Sequence, residues 1–369
     1  MKMLKKFEVK GFKQFSDLSW DFSNIRDYSF NNECISDGLV KNAVVYGKNA
    51  AGKTNLGLAL FDIVASLTDK TNGDDMYDYY LNALSTNKEA EFYYQFQFGT
   101  HSVEYSYSKK EQRIITSEKL SIDNQLMLCW DASGIKVNSD FKNRYRFGEI
   151  ELNWMGTRLS AVKYVLNNMV PIKGSIMENL GRFVNGMLWF QRNDTMNRYI
   201  GLSMGNENLF RSIAEHGYTA EFEKFLNEYG IPVKLVTIKN PDGKSEIYFD
   251  FKRRIPIGQC ASSGTRALSL FFYWMKHRKD ITFLFIDEFD AFYHYELSEK
   301  ILHFLIYDFH KQAIVTTHNP KLLTNRIVRP DCCFQLEDGK IKSFADSTER
   351  ELRQGNNLEK LYVSGEFNG

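Results

Sequence analysis

The feature that most constrains this chain is a glycine-containing turn between an apolar run and a helical segment. The run Asn42–Tyr46 has the composition of a short buried strand, and the turn at 47–54 reads Gly-Lys-Asn-Ala-Ala-Gly-Lys-Thr. The apolar periodicity that follows predicts a helix over 53–66. Strand, glycine-rich turn and helix are the order of a phosphate-binding loop, in which backbone N–H groups and the helix N-terminus face phosphate oxygens. The sequence therefore predicts an α/β fold built around such a loop.

The side chains of this turn fit the same interpretation. Lys53 is placed to reach the β- and γ-phosphates of ATP, and the Thr54 hydroxyl is a suitable ligand for Mg²⁺. We predict that the remaining contacts to ATP come from Gly47, Asn49, Ala50, Ala51, Gly52 and Asn55. The alternative is an ordinary loop that matches the pattern by chance, and the flanking strand and helix argue against it.

Two carboxylates follow a second apolar strand. The segment Phe283–Asp287 is apolar up to its last residue, and Glu288 comes next. Ligands of open α/β sheets bind at the carboxyl edge, so Asp287 is expected to hold Mg²⁺, directly or through water. Glu288 is expected to polarise the water that attacks the γ-phosphate. A solvated strand end is the alternative.

A Ser-Ser-Gly tripeptide, Ser262, Ser263 and Gly264, opens a predicted helix over 265–277. Hydroxyl and backbone N–H groups at a helix N-terminus form a second site for an anion. One ATP does not need two such sites in a single chain, which favours the interpretation that these residues complete the ATP site of a second copy. A serine-capped helix without a ligand is the alternative, and the tripeptide taken alone favours it.

A histidine, His318, follows the predicted strand 313–317. At the edge of the sheet its ring is placed to hydrogen-bond the γ-phosphate and so to report whether that group is present. A lone histidine more often has a structural role, and the residues around it leave both readings open.

The patterning changes along the chain. Residues 90–123 alternate apolar and polar side chains, which predicts an antiparallel β meander. Further on, apolar residues recur at helical spacing and predict a helical insertion: Ile176, Leu180, Phe183, Val184, Met187 and Leu188. Alternating strands and helices after it predict a parallel sheet covered on both faces. We therefore predict an N-terminal ATPase lobe at 1–140, a helical insertion at 141–230 and a C-terminal ATPase lobe at 231–369.

Charge and cysteine content disfavour several classes of protein. Lys and Arg number 47 against 46 Asp and Glu, so net charge gives no support to DNA binding. The five cysteines form no CxxC pair, which favours a reducing compartment over disulfides or zinc. No segment has the pattern of a secretory signal or the ~18–20 apolar residues of a membrane helix. We expect a cytoplasmic protein without a membrane partner.

The order of these elements resembles that of ABC ATPases, and specifically their SMC-like branch, in which an insertion separates the phosphate loop from the signature helix. On this resemblance, Ser263 and Gly264 match the signature motif, with Asp290 in the D-loop as a further contact to the partner's ATP. The same resemblance makes Asp287 and Glu288 the Walker B pair and His318 the switch histidine. The opening and closing segments, 7–23 and 338–369, are similar to those of ATPases from prokaryotic phage-defence operons, including the PARIS and overcoming-lysogenisation-defect types.

Two features depart from the family pattern. Lys13 stands where these families more often have arginine, which puts a nucleotide contact from this turn in doubt. The glutamine of the Q-loop is not assigned, because the candidates Gln95 and Gln97 share one strand face and are equally well explained as solvated residues.

The resemblance implies an ATP-binding and hydrolysing switch or scaffold that dimerises through shared ATP sites. It implies a role in anti-phage defence, in which a phage-derived trigger acts on the ATPase and the ATPase controls a separate effector, a Toprim-type nuclease. One alternative is a DNA-repair SMC-like ATPase that clamps DNA. Another is a scaffold stabilised by ATP with little turnover.

Overall fold

The computed structural model of the protein describes residues 1–70, 74–145, 160–168, 172–192, 197–202 and 209–367. Within these residues the strands, in chain order, are β1 Lys2–Phe12, β2 Phe15–Asp21, β3 Ile35–Ser36, β4 Leu39–Val40, β5 Asn42–Tyr46, β6 Ala90–Phe98, β7 His101–Glu111, β8 Ile114–Ile122, β9 Gln125–Asp131, β10 Gly134–Val137, β11 Met187–Arg192, β12 Asn197–Gly201, β13 Leu235–Lys239, β14 Ser245–Phe249, β15 Ile255–Pro256, β16 Phe283–Asp287, β17 Gln312–Thr317, β18 Cys333–Glu337 and β19 Lys340–Ser343. The helices are α1 Lys53–Leu67, α2 Ser139–Arg144, α3 Ala161–Asn168, α4 Ile176–Asn185, α5 Leu209–Glu215, α6 Thr219–Glu228, α7 Ile257–Cys260, α8 Ser263–Lys276, α9 Tyr295–Tyr307 and α10 Leu358–Val363.

The core sheet has the strand order β12-β11-β16-β17-β5-β18-β19 within the described residues. From β11 to β18 neighbouring strands run parallel, and antiparallel strands close both edges. Every residue of β5, β16 and β17 is buried, because helices or the second sheet cover both faces. The α/β fold expected from the sequence is confirmed.

The antiparallel sheet has the order β10-β9-β8-β7-β6-β1-β2. Along β6 the residues alternate between buried and partly exposed, with Phe92, Tyr94 and Phe96 on the buried face. This period-two burial is what one core-facing side of a sheet produces. The predicted meander over 90–123 is confirmed as β6, β7 and β8.

Helix α1 lies between the two sheets and is buried along most of its length. On one side Phe61 packs against Phe283 of the core sheet, with ring centroids 5.9 Å apart. On the other side the Tyr94 hydroxyl of the antiparallel sheet donates to the carbonyl of Ala59 at 2.9 Å. The helix that begins at the phosphate loop is therefore held by both sheets.

A buried carboxylate fixes α1 to the antiparallel sheet more strongly. Asp62 accepts hydrogen bonds from Tyr80 at 2.8 Å, from Tyr107 at 2.8 Å and from the Lys109 ammonium at 2.6 Å. All four side chains are buried, and a buried charge is tolerated only when it is paired and hydrogen-bonded in this way. The cluster ties the middle of α1 to β7.

The structure corrects one part of the sequence interpretation. Helix α4 ends at Asn185, and Met187 and Leu188, which were expected on a helix, begin β11 of the core sheet. The cause is that β11 is buried on both faces, so its apolar run lacks the alternation of a half-buried strand. A segment predicted to be helical therefore supplies β11 and β12 to the core sheet. The three-domain division with boundaries at 141 and 230 remains a prediction.

In the part of the chain that the structure describes, no helix combines the length and the apolar character that crossing a bilayer requires.

Candidate nucleotide-binding site

The phosphate loop (residues 47–54) connects β5 to α1 at the carboxyl edge of the core sheet. The backbone turns through left-handed conformations at Ala50, with φ of 62°, and Gly52, with φ of 100°. A Cβ on Gly52 would lie 1.4 Å from the Gln14 amide nitrogen, so this position requires glycine for space as well as for conformation. No side chain caps the first turn of α1, which leaves its N–H groups available to an anion.

The ammonium of Lys53 lies over this loop. It donates to the carbonyls of Gly47 at 2.8 Å and Lys48 at 3.1 Å, and the residue is only 4% exposed. Burial lowers the pKa of Lys53, while the nearby charges of Glu288 and Asp287 act in the opposite direction. A cation held at this position is suited to phosphate oxygens.

Asp287, at the end of β16, is the centre of the polar contacts. Its Oδ2 accepts from Thr54 Oγ1 at 2.6 Å and from Gln191 Nε2 at 2.8 Å, and its Oδ1 accepts from Thr316 Oγ1 at 2.6 Å. The residue is 1% exposed, and burial raises the pKa of Asp287 to about 6. The structure thus brings together Thr54 and Asp287, the two residues predicted to hold a metal.

The donor set fits Mg²⁺. A threonine hydroxyl and a carboxylate are hard oxygen ligands, which this ion prefers, and they lie beside a loop built for phosphate. Thr54 and Asp287 are the residues that would hold the ion, and their role as ligands remains a prediction.

Gln191 is a site residue that the sequence interpretation missed. It is the penultimate residue of β11, and its amide contacts Asp287 and, at 3.4 Å, the Thr54 hydroxyl. The two candidates for the Q-loop glutamine, Gln95 and Gln97, make contacts within their own hairpin. Gln95 donates to Ser102 at 3.2 Å, and Gln97 donates to the carbonyl of Gly99 at 2.8 Å. The available signal was the apolar run Met-Leu-Trp-Phe ending in a polar residue, the same pattern as Phe-Leu-Phe-Ile-Asp in β16.

Glu288 follows directly and takes a left-handed backbone conformation, with φ of 48°. Its N–H donates to Thr316 Oγ1 at 2.8 Å, and its side chain is half-buried beside the Asp287 carboxylate. The predicted water-polarising carboxylate therefore lies next to the predicted metal ligand.

Asp290 and His318 lie close together near the ends of β16 and β17. Burial raises the pKa of Asp290, and hydrogen bonds from Thr317 and Asn319 partly offset this. His318 is exposed at the end of β17. Both are on the side of the core sheet that carries the phosphate loop, and their predicted contacts to nucleotide remain predictions.

The tripeptide 262–264 begins α8. Ser262 Oγ accepts from the N–H of Thr265 at 3.1 Å, so this serine caps the helix, as the simpler alternative required. Ser263 is exposed on the first turn, and a Cβ on Gly264 would lie 3.2 Å from the carbonyl of Phe292. The cap accounts for Ser262, whereas Ser263 remains accessible to a partner.

The turn between β1 and β2 contacts the phosphate loop through Gln14. The Gln14 amide donates to the carbonyl of Ala51 at 3.0 Å and accepts from the Asn55 amide. Lys13 turns the other way and donates to the carbonyl of Asp78 at 2.8 Å. Lys13, the residue that stands where the resembling families more often have arginine, therefore contacts a neighbouring loop and not the phosphate loop.

A phosphate loop after a central parallel strand, an acidic residue at the end of a strand two positions away in the same sheet and an antiparallel sheet over α1 define an ABC-type P-loop ATPase head. Residues 43–324 match the family model described as "AAA domain, putative AbiEii toxin, Type IV TA system", and the chain belongs to this family. No curated protein matches the sequence.

Several solved structures are similar at low sequence identity. An Smc head bound to the C-terminal winged-helix domain of ScpA is 17% identical, with a TM-score of 0.43 and coverage of 92% of this chain and 96% of that one. The SMC head domain from Thermotoga maritima is 17% identical, with a TM-score of 0.41 and coverage of 92% and 98%. An Smc head from Pyrococcus furiosus with an extended coiled coil, bound to the C-terminal domain of ScpA, is 14% identical, with a TM-score of 0.44 over the whole of both chains.

Proposed function

We propose that this protein hydrolyses ATP with Mg²⁺ in sites shared between two copies, and that the ATP-bound dimer is one state of a switch. The observation that carries the proposal is the contact of Asp287 with Thr54 and Gln191 beside the phosphate loop. These groups come from β16, α1 and β11, and their convergence at one edge is what a nucleotide site on a parallel sheet requires.

Each residue has a distinct part in hydrolysis. The N–H groups of the loop and the Lys53 ammonium bind and orient the phosphates, and Thr54 and Asp287 hold the metal. Bound Mg²⁺ supplies charge neutralisation on the phosphate oxygens. Glu288 orients the attacking water and takes its proton, and His318 donates a hydrogen bond to the γ-phosphate.

The second half of the site comes from the partner. Ser263 is exposed on the first turn of a helix of 14 residues, which the Ser262 side chain caps. Placed on the nucleotide of a second copy, this turn adds N–H and hydroxyl donors and excludes water. Hydrolysis is therefore expected to be slow in the monomer and to depend on assembly.

The test is the mass and ATP turnover of the purified protein, for wild type and for Glu288→Gln. We expect the variant to retain ATP, to accumulate as a dimer or larger ring and to lose turnover by about 10²-fold or more, because it lacks the carboxylate that accepts the proton. A wild type that remains monomeric and turns over ATP as fast as any assembled form would contradict the shared site. A dimer that binds ATP without turnover would favour the scaffold alternative.

The biological role that we propose is anti-phage defence through a separate effector nuclease that responds to a phage-derived trigger. Its support is the resemblance of the terminal segments to phage-defence ATPases, together with a family description that refers to a toxin of a type IV toxin–antitoxin system. Protection of cells against phage should disappear with Lys53→Ala and with Glu288→Gln. Protection that survives both substitutions would refute this role.

One observation favours a second function, an ATPase regulated by nucleic acid. The exposed loop at 251–254, Phe-Lys-Arg-Arg, lies between β14 and β15, just upstream of α8. Phe251 is 57% exposed and stacks on Phe249, and within the described residues Lys252 and Arg253 form no ion pair. Cations beside an exposed aromatic ring are suited to phosphates and bases of a single strand, even on a chain of net charge +1.

This second function predicts that single-stranded DNA stimulates turnover, with an effect that falls steeply as salt increases. The double substitution Lys252→Glu and Arg253→Glu should abolish the stimulation by DNA. The control Lys244→Glu, on the β13–β14 hairpin, should leave the stimulation unchanged. Turnover that is indifferent to DNA at low salt would exclude this function.

A further inference from the structure

Thr316 connects the two acidic residues of the site. Its hydroxyl donates to Asp287 Oδ1 at 2.6 Å and accepts from the N–H of Glu288 at 2.8 Å. Thr316 is 0% exposed in the middle of the core sheet, so no water competes for these contacts. One side-chain oxygen therefore links the orientation of the Asp287 carboxylate to the backbone of Glu288.

The chemistry of a hydroxyl is required for both contacts. A hydroxyl has one proton and two lone pairs, so committing the proton to Asp287 leaves a lone pair for the Glu288 amide. Valine has nearly the same shape but neither donates nor accepts. Serine retains both functions and loses only a methyl group.

The contact lies where the backbone leaves the sheet. After Asp287, the N–H of Glu288 bonds to the Thr316 side chain and the N–H of Phe289 to the Thr316 carbonyl at 3.1 Å. Glu288 takes a left-handed conformation, which is unfavourable for a residue with a Cβ and persists only where the surroundings impose it. Thr316 holds both amides of this turn and so determines the direction in which the Glu288 side chain leaves the backbone.

We propose that Thr316 is a positioning residue for ATP hydrolysis, which fixes Glu288 relative to Asp287 without contacting the nucleotide itself. This inference rests on the proposed ATPase function. It assigns to β17 a role in the chemical step that is separate from that of His318.

The experiment compares Thr316→Val and Thr316→Ser in the full-length protein, with Thr68→Val as the matched control. Thr68 is also buried, and its hydroxyl likewise makes one bond as donor, to the carbonyl of Val64, and one as acceptor, from the backbone N–H of Lys70. It lies at the opposite end of α1 from the phosphate loop. The control therefore loses the same kind of contacts away from the site.

We expect Thr316→Val to lower kcat by about 10²-fold, because a general base misplaced by about 1 Å loses that much. KM for ATP should stay within about three-fold, because ground-state contacts to the phosphates are unchanged. Thr316→Ser should retain turnover within about three-fold of wild type, since the hydroxyl is retained.

A second readout needs no nucleotide. Hydrogen–deuterium exchange at the Glu288 amide should accelerate in Thr316→Val, stay slow in Thr316→Ser and be unchanged in Thr68→Val. The Phe289 amide, which bonds to the backbone carbonyl of residue 316, keeps its acceptor in every variant. Equal losses of turnover in the valine and serine variants, a higher KM at unchanged kcat, or full turnover in the valine variant would each overturn the inference. Absence of turnover in wild type would instead refute the proposed function, and exchange alone would then decide whether Thr316 holds this turn.

Discussion

The two halves of the proposed nucleotide site differ in how far the chain's own contacts complete them. At the edge of the core sheet, Lys53 and Asp287 are buried, and each is held by short hydrogen bonds from its own chain. At the start of α8, Ser262 and Ser263 are exposed, and the Ser262 hydroxyl bonds to Thr265 of its own helix as a cap. The first half is organised by the chain's own contacts, whereas the second is accessible to a partner. Under the proposed function, this difference makes assembly a condition of catalysis.

The largest expected effect comes from removing the cation of the buried half. Lys53→Ala should weaken ATP binding by about 10²-fold or more, because the buried ammonium is matched to phosphate charge. Titration with a fluorescent ATP analogue measures this. The control is Lys48→Ala in the same loop, where the lysine is exposed and its contact with Glu337 is a surface pair at 3.4 Å. Equal losses in both variants would mean that the loop's net charge, not the position of Lys53, is responsible.

A smaller effect is expected at the residue that the sequence interpretation missed. Gln191→Leu should raise the Mg²⁺ concentration for half-maximal turnover by about 10-fold, the usual cost of losing a group that orients a metal ligand. Gln95→Leu, on the antiparallel sheet, should leave the Mg²⁺ dependence unchanged. If Gln95→Leu alters the Mg²⁺ dependence and Gln191→Leu does not, the contact of Gln191 with Asp287 has no functional role.

Mixing variants tests whether the two halves belong to different copies. Lys53→Ala and Ser263→Asp should each be inactive alone, and an equimolar mixture should recover roughly a quarter of wild-type turnover. Half of the dimers that form at random contain one copy of each variant, and each of these mixed dimers has one intact site and one defective site. A mixture of Lys53→Ala with Glu288→Gln should recover nothing, since both changes affect the same half. No recovery in the first mixture, with dimers present by mass, would place α8 outside the site.

The last prediction concerns stability rather than nucleotide and follows from the buried carboxylate. Burial raises the pKa of Asp287 to about 6, above the ordinary value of 3.8. The folded protein therefore binds a proton more readily than the unfolded chain, and the free energy of unfolding falls as the pH rises from about 4 to about 6, by up to about 3 kcal/mol. Melting of the nucleotide-free protein between pH 4 and 7 measures this. Asp287→Asn should flatten the dependence, and an unchanged profile would assign it to other groups.

The parts of the site that were predictable from sequence are those encoded by neighbouring residues. The phosphate loop, the Asp287–Glu288 pair and the serine cap of α8 each have a local pattern with a physical reason. Gln191 was missed because a strand buried on both faces has the same apolar run as a buried helix. Thr316 was missed for another reason. Its contacts to Asp287 and Glu288 cross between strands, and no local pattern encodes them.

The same distinction applies to the fold. The meander over 90–123 was predictable because one exposed face imposes alternation, and α1 because a helix must follow the phosphate loop. The strand order of the core sheet was not, since β11 lies beside β16 although 90 or more residues separate them in the chain. Such pairings are decided by packing of complete elements rather than by local preference.

The buried Asp62 cluster makes α1 and the antiparallel sheet one mechanical body. If α1 slid along β7, Asp62 or Lys109 would be left as an unpaired charge in the interior, at a cost of about 3–5 kcal/mol. A displacement of the phosphate loop is therefore expected to move α1 and β7 together, rather than to move α1 relative to β7. We expect the same displacement to move the antiparallel sheet together with α1, out to its edge strand β10.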